Sequence, residues 1–126
     1  MSDKKKYELE YLIKSAPKIL YNRLGTPDGL EQWFADAVKI EDDILTFTWD
    51  NNDQQAKIIG KKANDYIRFR WLDEDEDTYF EFKIKIDDIT SEVALIITDF
   101  ADEDEVEEAT LLWDSQVNSL MRLLGS

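Results

Sequence analysis

Residues 36–100 alternate between apolar and polar side chains in short runs, and this pattern constrains the fold more than any other feature of the sequence. A period of two is typical of strands that pack one face on a core and expose the other. Acidic or Asn-rich turns separate the runs, which favours antiparallel hairpins. The predicted strands in this region are Val38–Glu41, Ile44–Trp49, Gln55–Ala63, Tyr66–Leu72, Thr78–Ile86 and Val93–Phe100.

A further strand is predicted before this region, and two short helices connect it to the rest. Residues Lys5–Lys14 alternate in the same way. Ser15–Pro17 and Thr26–Asp28 each place a hydroxyl side chain shortly before a first-turn proline, which is typical of a capped helix start. The first helix should end at Gly25. The inner face of the second helix should carry Leu30, Trp33 and Phe34.

The last segment changes from a strand period to a helix period. Asp102 and Glu105 have the spacing of a capping box, so a helix is predicted from Asp102 to Leu124. Its apolar stripe contains Val106, Ala109, Trp113, Val117, Leu120, Met121 and Leu124. The complete order predicts a single domain over residues 1–126 with an α+β fold, in which an antiparallel sheet of seven strands curls around the final helix.

The residue types exclude several kinds of chemistry. The chain has 126 residues with neither cysteine nor histidine, so it has no disulfide, thiolate nucleophile, zinc–thiolate site or imidazole base. Asp36, Glu81 and Asp99 remain as acid or base candidates, but the sequence marks no pair among them. Asp73–Asp77 lacks the glycine and the distal glutamate of an EF-hand loop. We therefore expect a non-enzymatic protein without a metal site or a cofactor.

The negative charge is concentrated in three stretches. Aspartate and glutamate number 29 against 15 lysines and arginines, a net charge of −14. Glu41–Asp43, Asp73–Asp77 and Asp102–Glu108 contain the excess. Nucleic acid and anionic membrane surfaces repel such a chain, and the longest apolar run, Val93–Ile97, is far too short to span a bilayer. We expect no nucleic-acid partner, no integral membrane contact and a cytoplasmic location.

Several motifs resemble one known family. Ser15–Tyr21 followed by Thr26–Ala35 resembles the opening of bacterial proteins similar to the activator of heat-shock protein 90 ATPase, which belong to the START-like (SRPBCC) superfamily. Tyr66–Trp71 resembles that family's hydrophobic strand ending in tryptophan, and Thr98–Phe100 with Trp113 resembles its closing strand and helix. The resemblance covers nearly the whole chain and implies the helix-grip fold, although the family has no shared catalytic motif.

The resemblance also implies a cavity for an apolar small molecule or lipid between the sheet and the long helix. Tyr11 and Thr98 would serve as its polar anchors. The candidate wall residues are Trp33, Trp49, Phe69, Trp71, Phe82, Trp113, Val117 and Leu120. The same side chains also fit a filled hydrophobic core that binds nothing, and the sequence leaves both interpretations open.

A protein partner is the alternative function. The acidic stretch Asp102–Glu108 would steer a basic partner, and such binding weakens as salt increases. A solvated helix terminus explains the same acids without any partner.

Two polar features favour a structural explanation. Arg68, Arg70, Lys83 and Lys85 lie on the polar face of neighbouring predicted strands, where pairing with Glu81 and nearby acids explains them more simply than an anion site does. Gly60 is predicted to mark a bulge rather than a place of close ligand approach.

Overall fold

The computed structural model describes residues 4–125, and within that range all strands join one antiparallel sheet. The strands are β1 (Lys5–Ile13), β2 (Ala37–Glu41), β3 (Ile44–Trp49), β4 (Asn52–Lys62), β5 (Tyr66–Trp71), β6 (Phe80–Ile86) and β7 (Val93–Ala101). The helices are α1 (Pro17–Leu24), α2 (Pro27–Leu30) and α3 (Val106–Leu124). The order across the sheet is β1-β7-β6-β5-β4-β3-β2, so the predicted α+β helix-grip fold with seven antiparallel strands is confirmed.

Short turns fix the register of the hairpins. Asp50 (φ 49°) and Asn51 (φ 66°) adopt left-handed backbone conformations between β3 and β4, and the two strands pair as far as Trp49 and Asn52. Two residues of positive φ are the signature of a type I′ turn, whose twist matches that of the strands. Asn64 (φ 63°) lies in the turn between β4 and β5. The predicted Asn- and Asp-based turns are therefore confirmed.

Two strand starts differ from the prediction by more than one residue. β4 begins at Asn52 rather than Gln55, because the turn before it has only two residues. β6 begins at Phe80 rather than Thr78. Thr78 belongs to the preceding turn instead, since its N–H and its hydroxyl both donate to the carbonyl oxygen of Asp75, at 3.0 and 2.8 Å.

Gly60 marks a bulge, as predicted. The register of β4 against β5 shifts between Ile58 and Gly60. A Cβ atom at Gly60 would lie 3.3 Å from the hydroxyl oxygen of Tyr66. Because a bulge bends its strand and increases the local twist, this irregularity helps the sheet to curl.

The caps of the two short helices differ from each other. Thr26 caps α2 as predicted, accepting a hydrogen bond from the Gly29 N–H at 3.0 Å. Ser15 does not cap α1: Ala16 occupies the cap position without a side-chain hydrogen bond. The Ser15 hydroxyl instead donates to the carbonyl oxygen of Ala16 at 3.4 Å.

Trp33 and Phe34 lie in the turn after α2 rather than on the helix itself. α2 ends at Leu30, and the Phe34 N–H donates to the Leu30 carbonyl oxygen at 2.8 Å. Trp33 donates from Nε1 to the carbonyl oxygen of Arg23 at 2.8 Å. Both aromatic side chains are buried, so the turn carries them into the core although the helix stops early.

α3 begins later than predicted and has no capping box. Glu103–Glu105 forms a 3₁₀ turn, and the Asp102 side chain makes no capping hydrogen bond. The Glu105 N–H donates to the Asp102 carbonyl oxygen at 2.8 Å, which closes that turn through the backbone. α3 then runs over 19 residues and ends at Leu124, and Gly125 after it caps the helix with a φ of 69°.

The core lies between α3 and the concave face of the sheet. The helix buries Trp113, Val117 and Leu120 against it. The largest fully buried aromatic side chains of the sheet are Phe47, Phe69, Phe80 and Phe82. Their rings stack or meet edge to face, as in the Phe69–Phe80 pair with centroids 4.8 Å apart, and such pairs add to the stabilisation from burial alone.

The opposite face of the sheet carries cross-strand ion pairs. Arg68 lies directly opposite Glu81, and Nη2 of the arginine is 3.0 Å from Oε2 of the glutamate. Lys83 pairs with Asp65 at 3.3 Å. The structural explanation predicted for these two basic residues is confirmed.

Candidate functional site

A cavity of about 340 Å³ lies between α3 and the concave face of the sheet. Its aromatic wall consists of Phe34, Trp49, Trp71, Phe80 and Trp113. Gln54, Asp99, Ala109, Leu112 and Gln116 complete the lining. Leu112 is 63% exposed and Gln54 is exposed, so these two side chains form the rim that faces solvent.

The ends of three strands supply the aromatic wall. Trp49 is the last residue of β3, Trp71 the last of β5 and Phe80 the first of β6. Trp71 and Phe80 stack with ring centroids 4.8 Å apart. On the helix side, Trp113 stacks on Phe34 at 5.8 Å, with the two planes 16° apart. The cavity is therefore lined largely by the faces and edges of aromatic rings.

One carboxylate, that of Asp99, lies among these rings. Its Oδ2 accepts hydrogen bonds from Trp113 Nε1 at 3.0 Å and from the Tyr7 hydroxyl at 3.2 Å. Its Oδ1 accepts from the Phe100 N–H at 2.8 Å. Burial raises the pKa of Asp99 above its ordinary value, although these hydrogen bonds and, more weakly, the charge of Lys4 oppose the shift.

The two tyrosines of β1 on this face are held as neutral donors. Burial and the charge of Asp99 raise the pKa of Tyr7. Burial and a 2.6 Å hydrogen bond to Asp114 likewise raise the pKa of Tyr11. Both hydroxyls therefore donate to carboxylates.

A single carbonyl oxygen connects three segments at one end of the cavity. The Phe34 carbonyl oxygen accepts from Trp49 Nε1 at 2.7 Å and from Gln116 Nε2 at 3.0 Å. These bonds join β3, the turn after α2 and α3. They also fix the orientation of the Trp49 indole in the cavity wall.

The structure brings together some of the predicted wall residues and separates others. Trp49, Trp71 and Trp113 line the cavity. Five others lie in the surrounding core and are not among its lining residues: Trp33, Phe69, Phe82, Val117 and Leu120.

The two predicted polar anchors do not line this cavity. Thr98 lies directly opposite Glu8 on β1 and Glu81 on β6, which places it on the outer face of the sheet. Tyr11 faces the helix but bonds Asp114. Asp99, the neighbour of Thr98, occupies the inward position instead.

Sequence reasoning missed seven of the ten cavity residues, among them Phe34, Phe80, Asp99 and Gln116. Period two along β7 places Asp99 on the same face as Ile97, and a spacing of three places Gln116 on the same side of α3 as Trp113. Those signals were present in the sequence. Phe34 was predicted on the inner face of the second helix, but the sequence does not determine the path of the turn that carries its ring to the cavity.

Other grooves lie outside this cavity, and two of them bear on the choice of ligand site. A groove of about 470 Å³ adjoins it, shares Ala109 and Leu112, and is lined by Asp102, Glu105 and Glu108. Another of about 640 Å³ lies beside α1 and α2, with Lys18, Asn22, Arg23 and Asp28 among its lining residues. The latter is larger, but most of its lining residues are polar or charged and it has no aromatic wall, so the aromatic cavity is the better candidate for an apolar ligand.

Within residues 4–125, no group of three or more aspartate or glutamate side chains is placed to hold a metal ion. Among the described helices, none is both long and apolar enough to cross a bilayer.

The fold and the cavity agree with a family assignment. The family model described as a START-like superfamily domain matches residues 1–126, and the chain belongs to this superfamily. Members of the superfamily fold bind hydrophobic ligands or act in protein interactions. A comparison with curated proteins found no match.

Solved structures of several bacterial proteins are similar to this chain. A Bacteroides fragilis protein solved by NMR is 43% identical, with a TM-score of 0.69 over 95% of this chain and 90% of that one. The Aha1 dimer of Colwellia psychrerythraea is 17% identical, with a TM-score of 0.80 over 95% and 96% of the two chains. DynU16, from the dynemicin biosynthetic locus, is 15% identical with a TM-score of 0.80, over 96% of this chain and 47% of that one. The last two likenesses concern the fold alone.

Proposed function

We propose that this chain is a non-enzymatic START-like protein that binds a hydrophobic small molecule between the curved sheet and α3. The observation that carries the proposal is the 340 Å³ cavity with its aromatic wall. Small-molecule sites typically measure about 300–1,000 Å³ and combine an apolar lining with a few polar groups. This cavity lies at the small end of that range, which favours a compact ring compound over a long-chain lipid.

The lining also supports binding rather than catalysis. Among the described residues that line the cavity, Asp99 is the one acidic or basic side chain. Acid–base catalysis commonly uses two titratable groups whose environments separate their pKa values. A single carboxylate that accepts bonds from Trp113, Tyr7 and the Phe100 N–H is suited to orienting a ligand.

Native mass spectrometry of freshly purified protein, followed by solvent extraction, tests the proposal. We expect an adduct of a few hundred daltons that disappears on extraction. Ala109→Phe should abolish the adduct because the new ring fills the cavity from α3. Ser115→Phe, at an exposed position of the same helix, is the matched control and should retain it. An unliganded mass after exposure to a lipid and metabolite extract would contradict the proposal.

A protein-interaction role is the second candidate. The beginning of α3 exposes Glu107 and Glu108 next to two leucines, Leu111 and Leu112, that are 64% and 63% exposed. An apolar patch with an acidic border suits a basic partner protein. Binding of this kind should weaken steeply between low and high salt, whereas uptake of an uncharged apolar ligand should respond little.

The finer placement within the superfamily is also a proposal. The proline-containing motifs at Ser15–Tyr21 and Thr26–Ala35, with the fold similarity to an Aha1 dimer, support a place among homologues of the heat-shock protein 90 ATPase activator. A cytoplasmic location stays a prediction from the sequence.

A further inference from the structure

The charge of the cavity, together with its aromatic wall, narrows the chemistry of the ligand. The faces of aromatic rings carry a negative quadrupole and attract cations, tryptophan most strongly. Trp49, Trp71 and Trp113 all contribute to the wall. Such a set of rings accommodates an ammonium group better than a cavity of equal size lined by aliphatic side chains would.

Asp99 is the ionisable side chain among these rings, and in its ionised form it adds a negative charge to them. The three hydrogen bonds that its carboxylate accepts come from neutral donors: an indole, a phenol and a backbone amide. Donors of this kind stabilise the ionised carboxylate without cancelling its charge. Lys4 also favours the ionised form, and its ammonium group pairs with Glu74 at 2.8 Å.

The surface next to the cavity also carries more negative than positive side chains. The adjoining groove shares Ala109 and Leu112 with the cavity, and among the described residues its lining has three carboxylates, those of Asp102, Glu105 and Glu108, against the one ammonium group of Lys4. Acidic groups near a binding site raise the local concentration of cations and repel anions. A fatty acid or an organic phosphate would meet an unfavourable potential there.

We propose that the ligand is an organic cation, with a protonated amine or ammonium group beside Asp99 and a flat apolar body against Trp49, Trp71 and Phe80. The inference rests on the proposed function, because it names the chemical class of the ligand for the same cavity. Removing an ammonium group from water is costly. The carboxylate and the ring faces together offset that cost. A neutral ligand would gain neither of these attractions.

Three naphthalene compounds that differ in one end group test the inference by isothermal titration calorimetry. They are 2-(2-naphthyl)ethylammonium, 2-(2-naphthyl)ethanol and 2-naphthylacetate. We expect the ammonium compound to bind about tenfold more tightly than the alcohol, and the carboxylate to bind most weakly. Asp99→Asn should reduce the ratio of the ammonium and alcohol affinities to about one, and a circular dichroism spectrum like that of the wild type shows that the variant is folded.

Asp114→Asn is the matched control. Asp114 is also a partly buried carboxylate that accepts a tyrosine hydroxyl, at 2.6 Å from Tyr11, but it is not among the residues that line the cavity. This variant should keep the ranking of the three compounds.

Each other outcome has a definite meaning. Equal affinity of all three compounds for the wild-type protein would overturn the inference while supporting the proposed function. Tightest binding of the carboxylate, or an unchanged ammonium preference in Asp99→Asn, would also overturn it. Failure of every compound to bind would contradict both the inference and the proposed function.

Discussion

At the residue scale, Asp99 stands out because it is the one acidic or basic side chain among the described residues that line the cavity. It lies among aromatic rings, and burial holds its pKa above the ordinary value of 3.8. The folded state therefore binds a proton at this carboxyl more tightly than the unfolded state does. Its contribution to stability is largest below pH 3.8 and declines as the pH rises through the raised pKa.

Asp99→Asn removes this titration. We expect the free energy of unfolding of the variant, relative to wild type, to improve between about pH 4 and pH 7, because only the wild-type protein loses stability by ionising a buried carboxyl. Urea denaturation of both proteins at the two pH values, followed by tryptophan fluorescence, measures the difference. A constant difference, or one that changes in the opposite direction, would show that burial does not dominate at Asp99.

The sequence was enough to predict which face of β7 carries Asp99, but it did not favour Asp99 as the polar anchor of the cavity. Alternation places it on the same face as Ile97, and its neighbour Thr98 on the other face. A buried carboxylate is rarer than a buried threonine, so Thr98 was the expected anchor. Only the donors that meet Asp99, from Tyr7 on β1 and Trp113 on α3, make its burial acceptable. These partners are 92 and 14 residues away in sequence.

At the element scale, local signals were reliable where local chemistry decides the structure. The turn at Asp50 and Asn51 and the Thr26 cap depend on a few adjacent residues, and both were predicted correctly. The predicted capping box at Asp102 was wrong. Several acidic side chains lie close together there, and hydrogen bonding to Asp102 together with nearby negative charge raises the pKa of Glu105. The segment forms a 3₁₀ turn in place of a capping box.

Close contact between α1 and α2 leads to a prediction for Gly29. A Cβ atom there would collide with the carbonyl oxygen of Asn22 and would lie 2.7 Å from the Cα of Arg23. Both are backbone atoms of α1, so they cannot move aside as a side chain can. We expect Gly29→Ala to lower the free energy of unfolding by about 1–3 kcal/mol, as measured by urea denaturation.

Gly60→Ala provides the comparison for Gly29→Ala. The atoms nearest to the new methyl group would belong to the Tyr66 side chain, whose hydroxyl oxygen would be 3.3 Å away, and that ring can shift. Its cost should stay below about 1 kcal/mol. Equal losses in the two variants would show that helix contact is not what requires glycine at position 29.

At the scale of the whole molecule, packing of α3 on the sheet holds the fold together. Leu120 is fully buried, whereas Leu123, one turn further along, is 42% exposed. We expect Leu120→Ala to lower the free energy of unfolding by about 2–5 kcal/mol and Leu123→Ala to change it by no more than about 0.5 kcal/mol. Chemical denaturation compares the two, and similar losses would contradict the described burial of the helix.

The sequence predicts this overall arrangement because the order of periods, strand then helices then strands then helix, admits few compact solutions. It does not predict the cavity. A void of 340 Å³ is a small difference between the volume that the backbone encloses and the volume that the side chains fill. Eight predicted wall residues therefore divide into three that line the cavity and five that fill the core around it.

The carbonyl oxygen of Phe34 has a mechanical consequence for this arrangement. It accepts from Trp49 Nε1 and Gln116 Nε2 at once, so it acts as a shared pivot for β3, the turn after α2 and α3. If α3 moves outward to admit a ligand, either the hydrogen bond from Gln116 to this oxygen breaks, or the turn and the Trp49 indole move with the helix. Opening of the cavity and reorientation of the Trp49 indole are therefore coupled.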